Sequence, residues 1–259
     1  MRAIHPWIFR PRPNPAPHLR LFCVPYAGRG ASLYRDWPEH VNSQVELCAL
    51  QLPGRENRLR EPPFTRIADA VQEAAQVLQS YLDVPFALFG HSMGGLICFE
   101  LARRLRSLYE IAPVHLFISA RRAPQLPDPR PPLCPLQDEQ FVAEIRRRYN
   151  GIPREVLGDP ELMELLLPML RADVEMLETY TYAPGPNLEC PITAFGGWED
   201  TEARFEELAA WCEQTNARFQ TKMFPGDHFF LQSAQTQILE TISQQLNLEV
   251  DLTPGASSR

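Results

Sequence analysis

A chain of 259 residues has room for one α/β domain with a full core, or at most two small domains. Its formal net charge of −7 argues against nucleic acid as a general partner, and no apolar run is long enough to cross a bilayer. The start Trp7-Ile8-Phe9 is cut short by Arg10 and Pro11, so it makes no secretory h-region, and six scattered cysteines without a C-x-x-C pair fit reduced thiols in the cytoplasm rather than a metal site.

After a proline-rich opening, in which the short stretch WIFR can pair antiparallel at a sheet edge, strands and helices alternate. LRLFCVPYA reads as a strand, SLYRDWPEHV as a short helix or turn region, and VELCALQLP as a second strand. IADAVQEAAQVLQSYL carries Ile67, Val71, Ala74, Ala75, Leu78 and Leu82 on one helical face. The strand PFALFG follows, then a helix from Met93 with Ile97, Leu101, Leu105 and Leu108 in a stripe, then the strand PVHLFISA. Alternation resumes later with PITAFGG, the helix RFEELAAWCEQT, the strand ARFQTKMFPG and the helix TQILETISQQL. Apolar strands separated by helices predict a mostly parallel sheet covered on both faces, in a single domain spanning 1–259. The tail from about 250 to 259 lacks periodicity and is expected to be unstructured.

An interruption from about 123 to 186 separates two of these strands. It opens with a proline-dense stretch and continues with DEQFVAEIRRRYN and DPELMELLLPMLRADVEMLETY, both helical in pattern. An insertion at this place is expected to cap the C-terminal strand ends, where ligands bind in open α/β sheets. Leu165, Leu166, Leu167, Met169 and Leu170 point around most of one helix, which must bury two faces or line an apolar pocket; Pro168 predicts a kink.

Gly90-His91-Ser92-Met93-Gly94 must reverse the chain between strand and helix. This G-x-S-x-G spacing sets a serine on a sharp turn with its hydroxyl exposed. A serine hydroxyl needs a base within hydrogen-bond reach, and in this architecture the chain order is serine, acid, histidine. His5, His18 and His40 precede Ser92, His91 adjoins it, and His115 lies inside a strand as a core or edge histidine. His228, in FPGDHFFL past a strand end, is the expected base. Asp200, one short turn beyond PITAFGG, is the expected acceptor for its imidazole; Glu199 and Asp227 are rivals, and helix capping is the plainer role. The oxyanion formed on acyl transfer requires preorganised donors, expected from the backbone N–H groups of Met93 and of Ala27 in the loop VPYAGRGAS.

These residues resemble the stand-alone type II thioesterases of non-ribosomal peptide and polyketide synthesis. The resemblance spans most of the chain: FCVPYAG, LQLPGRENRLREPPFT, ALFGHSMGG, FISARRAP, the LLPMLRAD segment, ITAFGGWED and FPGDHFFL. It implies an α/β-hydrolase fold with a helical cap, and hydrolysis of acyl groups from the phosphopantetheine arm of carrier proteins, with no other cofactor. The triad falls on Ser92, Asp200 and His228, with oxyanion donors on Ala27 and Met93. Two positions depart from the pattern: Arg29 replaces a glycine in the oxyanion loop, and Gly95 stands where alanine is common. A carrier partner, usually acidic, gives interest to two arginine clusters, Arg55, Arg58, Arg60 and Arg66, and Arg146 to Arg148. Solvated surface arginines are the plainer reading of both, and structural ion pairing serves equally for the first. Arg55 and Arg58 are accordingly candidate carrier contacts, and Leu166 and Met169 candidate acyl contacts, in a monomer that meets its carrier transiently. Release of a medium-chain product, oxyester hydrolysis and silent docking are the rival functions.

Overall fold

The computed structural model describes residues 5–149 and 159–252. Among these, seven strands form one sheet: β1 (Ile8–Phe9), β2 (Leu19–Val24), β3 (Val45–Leu50), β4 (Phe86–His91), β5 (His115–Ser119), β6 (Ile192–Gly197) and β7 (Phe219–Phe224). They lie in the order β1-β3-β2-β4-β5-β6-β7. All neighbouring pairs are parallel except β1 with β3, which meet antiparallel with Ile8 opposite Leu50.

The run of apolar residues in each central strand is buried on both faces, as a parallel sheet under two helical layers requires. Alternation divides each strand between the layers. Phe22, Val24, Phe86 and Leu88 face helices α1 (Ile67–Leu78) and α2 (Met93–Tyr109). Leu21, Cys23, Ala87 and Phe89 face the other way, toward Tyr34, Trp37 and the C-terminal helix. On α2 the apolar stripe ends one turn earlier than expected, because Leu108 is exposed.

Between β5 and β6 the described residues carry α3 (Asp138–Tyr149) and α4 (Pro160–Glu178). The two helices share a small core of their own, with Phe141, Ile145 and Val174 packed beside Leu133. Asp159 caps α4 by accepting from the amides of Glu161 and Leu162. Pro168 sits inside α4, which runs through it as one helix. Residues 150–158 of this expected cap lie outside the described residues.

Beyond β6 come α5 (Phe205–Ala209), which tightens into a 3₁₀ turn at Ala210–Gln214, then α6 (Phe230–Ser233) and α7 (Gln235–Leu252). The tail expectation needs correction at its start. Residues 250–252 continue α7 as helix, while 253–259 lie outside the described residues.

Candidate active site

Ser92 sits between the end of β4 and the start of α2, with φ 52° and ψ −113°. A non-glycine residue with positive φ costs of order 1–3 kcal/mol unless its surroundings fix it. Here they do: the Ser92 amide donates to the Ser119 carbonyl of β5 at 2.7 Å, and the Ser92 carbonyl accepts from the Gly95 amide at 3.0 Å. The turn must also press α2 against the end of β2. A Cβ on Gly94 would lie 2.1 Å from the carbonyl oxygen of Val24, so only glycine fits.

The loops after β6 and β7 deliver the other two groups. Ser92 Oγ lies 3.0 Å from His228 Nε2, and His228 Nδ1 lies 2.9 Å from Asp200 Oδ2. All three are buried, His228 to 5 % exposure and Asp200 likewise. The other oxygen of Asp200 accepts from the amides of Glu202 and Ala203, at 2.7 and 3.3 Å. The carboxylate therefore holds both the turn after β6 and the imidazole, while the N-cap of α5 is Arg204, so the helix-capping role falls elsewhere and Asp200 is the acceptor. The rivals lie elsewhere: exposed Glu199 accepts from the Gly226 amide, and exposed Asp227 from the Phe229 amide.

His91, set aside in the sequence as a neighbour of the serine, turns out to brace the site. Its Nε2 lies 2.9 Å from the backbone carbonyl of His228, and its Nδ1 2.9 Å from Ser119 Oγ. A carbonyl only accepts, so Nε2 carries the hydrogen and Nδ1 accepts from the serine hydroxyl. Complete burial, followed by repulsion from His228, pushes this imidazole well below the usual histidine range. Neutral His91 thus pins the backbone of the neighbouring imidazole's loop to the end of β4. Its position directly before Ser92 was the available signal; the partner, 137 residues away, was not. His115 is buried as expected, with Nε2 2.9 Å from Thr193 Oγ1, and burial pushes its pKa down to about 3.

Over Ser92 and His228 lies an apolar cavity of about 120 Å³. Leu166 and Met169 of α4 line it, with Leu167 and Leu170 beside them, while Leu162 and Leu165 of the same helix stay exposed. One face of α4 therefore lines an apolar pocket, the second of the two expected arrangements, and Leu165 is the one residue of the expected apolar set left exposed. Tyr149 of α3, which the sequence did not single out, places its ring 5.2 Å from that of His228. Ala27 and Gly28, at the end of the loop after β2, face the same cavity. Met93 opens α2, where a first-turn amide has no partner within the helix. Arg29 lines the cavity too and hydrogen-bonds the Tyr26 side chain.

For Arg55 and Arg58 the structure favours structural ion pairing over a carrier contact. Arg55 is 3 % exposed and paired to Asp173, which is wholly buried. Arg58 is 5 % exposed, pairs with Glu61, donates to the Gln51 carbonyl and lies over the Trp7 ring. Both side chains are committed to internal partners and almost wholly buried, which leaves little surface for a carrier protein to contact. In the second cluster, Arg147 and Arg148 pair with Glu144 of their own helix.

A parallel sheet with a serine on the strand–turn–helix after β4, and a histidine and an aspartate on loops after later strands, defines an α/β-hydrolase. Residues 19–246 match the Thioesterase domain family, and the chain belongs to that family: it is a thioester hydrolase. It is 46% identical to the gramicidin S biosynthesis protein GrsT of Aneurinibacillus migulanus over 245 residues, 95% of each chain. It is also 33% identical to the medium-chain S-acyl fatty acid synthase thioesterase of Rattus norvegicus, over 84% of this chain and 83% of that one. Among solved structures, the type II thioesterase BorB from the borrelidin biosynthetic cluster superposes with a TM-score of 0.85 at 38% identity, covering 93% of this chain and 97% of that one. No described helix is long and apolar enough to cross a membrane.

Proposed function

We propose that the enzyme acts in trans on a peptide or polyketide synthase, clearing acyl groups from the phosphopantetheine arm of its carrier proteins. The observation that carries this reading is the hydrogen-bonded chain from Ser92 Oγ through His228 to Asp200, set in the floor of an apolar cavity under α4. In the reaction, Ser92 Oγ attacks the thioester carbonyl while His228 Nε2 takes its proton. The oxyanion is held by the amides of Ala27 and Met93. As the C–S bond breaks, the proton passes from His228 to the departing thiolate. Water then repeats the sequence on the acyl-serine, releasing the acid. A thiolate leaves readily, so the protein's task is positioning and charge stabilisation more than proton donation. Leu166 and Met169 contact the acyl chain without polar groups, which supports a permissive pocket suited to miscellaneous stalled acyl groups. The carrier is bound transiently by a monomeric enzyme, in a reducing compartment that suits its buried thiols.

Release of a medium-chain product is the second reading, favoured by the identity to the rat enzyme. Single-turnover release from acyl-phosphopantetheinyl carrier protein, run beside the free acyl-pantetheine thioester and a p-nitrophenyl ester, tests both. Faster Ser92-dependent release from the carrier across many acyl groups supports editing, and one favoured chain length supports product release. Preference for the simple ester would overturn both, and full turnover by Ser92→Ala would overturn the mechanism.

A further inference from the structure

Arg55 of LPGRENR and Asp173 of LLPMLRAD have no part in the chemistry above, yet they meet in the structure. Arg55, in the loop after β3, and Asp173, on α4, form a two-pronged pair: Nη2 to Oδ1 at 2.7 Å and Nη1 to Oδ2 at 3.0 Å. The pair also grips the loop after β2 from two sides. Asp173 Oδ2 accepts from the Gly28 amide at 2.8 Å, and Arg55 Nη1 donates to the Arg29 carbonyl at 3.1 Å. Arg55 is further fixed by the Pro53 carbonyl, and its own carbonyl accepts from Gln51 Nε2. Gln51 in turn accepts from the Ala31 amide at 2.6 Å, closing the far end of the loop. Gly28 holds φ +80°, and a Cβ there would press on Leu170 of α4 at 3.2 Å.

We infer that Asp173, with Arg55, is a positioning residue that sets the oxyanion loop from the cap helix: it holds Gly28 and thereby aims the adjacent Ala27 amide at the reacting carbonyl. The Gly28 N–H lies in the peptide unit after Ala27 and the Ala27 N–H in the unit before it, so only the two backbone torsions of Ala27 separate the carboxylate's hold from that donor. An isolated buried pair costs more desolvation than it returns in stability, and an apolar replacement of both partners is commonly tolerated. Retaining two charges here is explained by what they hold. The same link makes oxyanion competence depend on where α4 sits: moving α4 outward draws the Gly28 amide with it. This inference rests on the proposed catalytic role of Ser92 and the Ala27 amide.

The test replaces both partners, Arg55→Met with Asp173→Leu, leaving no unpaired buried charge. Three readouts are compared with wild type: thermal melting, kcat and KM for an acyl-pantetheine thioester, and the rate at which a fluorophosphonate labels Ser92. The phosphonyl oxygen occupies the oxyanion position, so labelling reports that site without any acyl preference. The expected result is a folded protein whose kcat and labelling rate fall together, by about 10²-fold for one misaimed donor, with KM changed little. Asp173→Ala, which removes the acceptor of the Gly28 amide, carries the same measurement if the double variant does not fold. Wild-type labelling and kcat in a folded variant would overturn the inference. Failure of the fluorophosphonate to label wild-type Ser92 would instead overturn the catalytic reading beneath it.

Discussion

Replacing Asp200 with Asn should silence the enzyme while leaving its fold in place. Asp200 Oδ1 already accepts from two backbone amides, those of Glu202 and Ala203. In Asp200→Asn these donors select the side-chain carbonyl for that position, because an NH₂ group there would meet two N–H groups head-on. The NH₂ group must then point at His228 Nδ1, 2.9 Å away in the parent. An NH₂ donor requires Nδ1 to be the acceptor, so the ring hydrogen moves to Nε2, the nitrogen that faces Ser92. A protonated Nε2 cannot take the serine proton. Forcing this wrong tautomer in a serine triad costs roughly 10⁴ in kcat, about 5.5 kcal/mol of barrier. Stability should change by only about 1–2 kcal/mol, since both amide bonds to the side chain survive. The assay pairs steady-state kcat on an acyl-pantetheine thioester with ¹⁵N spectra of the histidine ring, expected to show Nδ1–H in wild type and Nε2–H in the variant. A variant within about tenfold of wild-type kcat, or one with its ring hydrogen still on Nδ1, would refute the reasoning.

Gly94→Ala puts a Cβ 2.1 Å from Val24 O and 2.7 Å from Val24 C, so α2 must retreat from the end of β2. Urea unfolding should show a loss of about 1–3 kcal/mol, and kcat should drop by about 10²-fold as the two oxyanion amides separate; unchanged kcat would count against that placement of the donors. The buried His115 predicts an acid-sensitive fold. Its native pKa near 3, against an ordinary 6.5, means that between those values protons bind only the unfolded chain, so stability falls as pH drops from 6.5 toward 3. At pH 4.5 the deficit is on the order of 3 kcal/mol. His115→Gln should therefore lose less stability than wild type between pH 7 and pH 4.5, by about that amount; identical losses in denaturant titrations would show that His115 does not contribute.

The sheet and the elbow were legible because each is specified by local spacing. Alternating apolar strands and helical stripes state their burial directly, and Gly90, Ser92 and Gly94 lie within five residues. The chain order of serine, acid and base narrowed six histidines to His228 without any coordinates. Charged side chains were another matter. Arg55 and Arg58 carry the same letters as exposed Arg60 and Arg66, and only the packing of α4 and Trp7 against them decides that they are interior. Asp173, 118 residues from Arg55, stood in the sequence as one carboxylate among several in the expected cap. His91 was hidden for a related reason: its function is a bond to a backbone carbonyl, which no side-chain pattern announces. Leu165 misled in the opposite sense, since an apolar residue on a helix indicates burial only when a neighbour is there to cover it.

The bridge from His91 to the carbonyl of His228 has a mechanical consequence. Proton transfer responds to the separation of two atoms, Ser92 Oγ and His228 Nε2, and not to where the pair stands in the molecule. Ser92 is the next residue in the chain after His91, and the loop of His228 hangs from the His91 ring. Any tremor of β4 is therefore passed to donor and acceptor alike, and cancels in the difference between them. The loop of His228 follows β7, the edge strand, three strands away from β4. The arrangement works as a shared mounting, which keeps the reacting distance steadier than the elements that supply it.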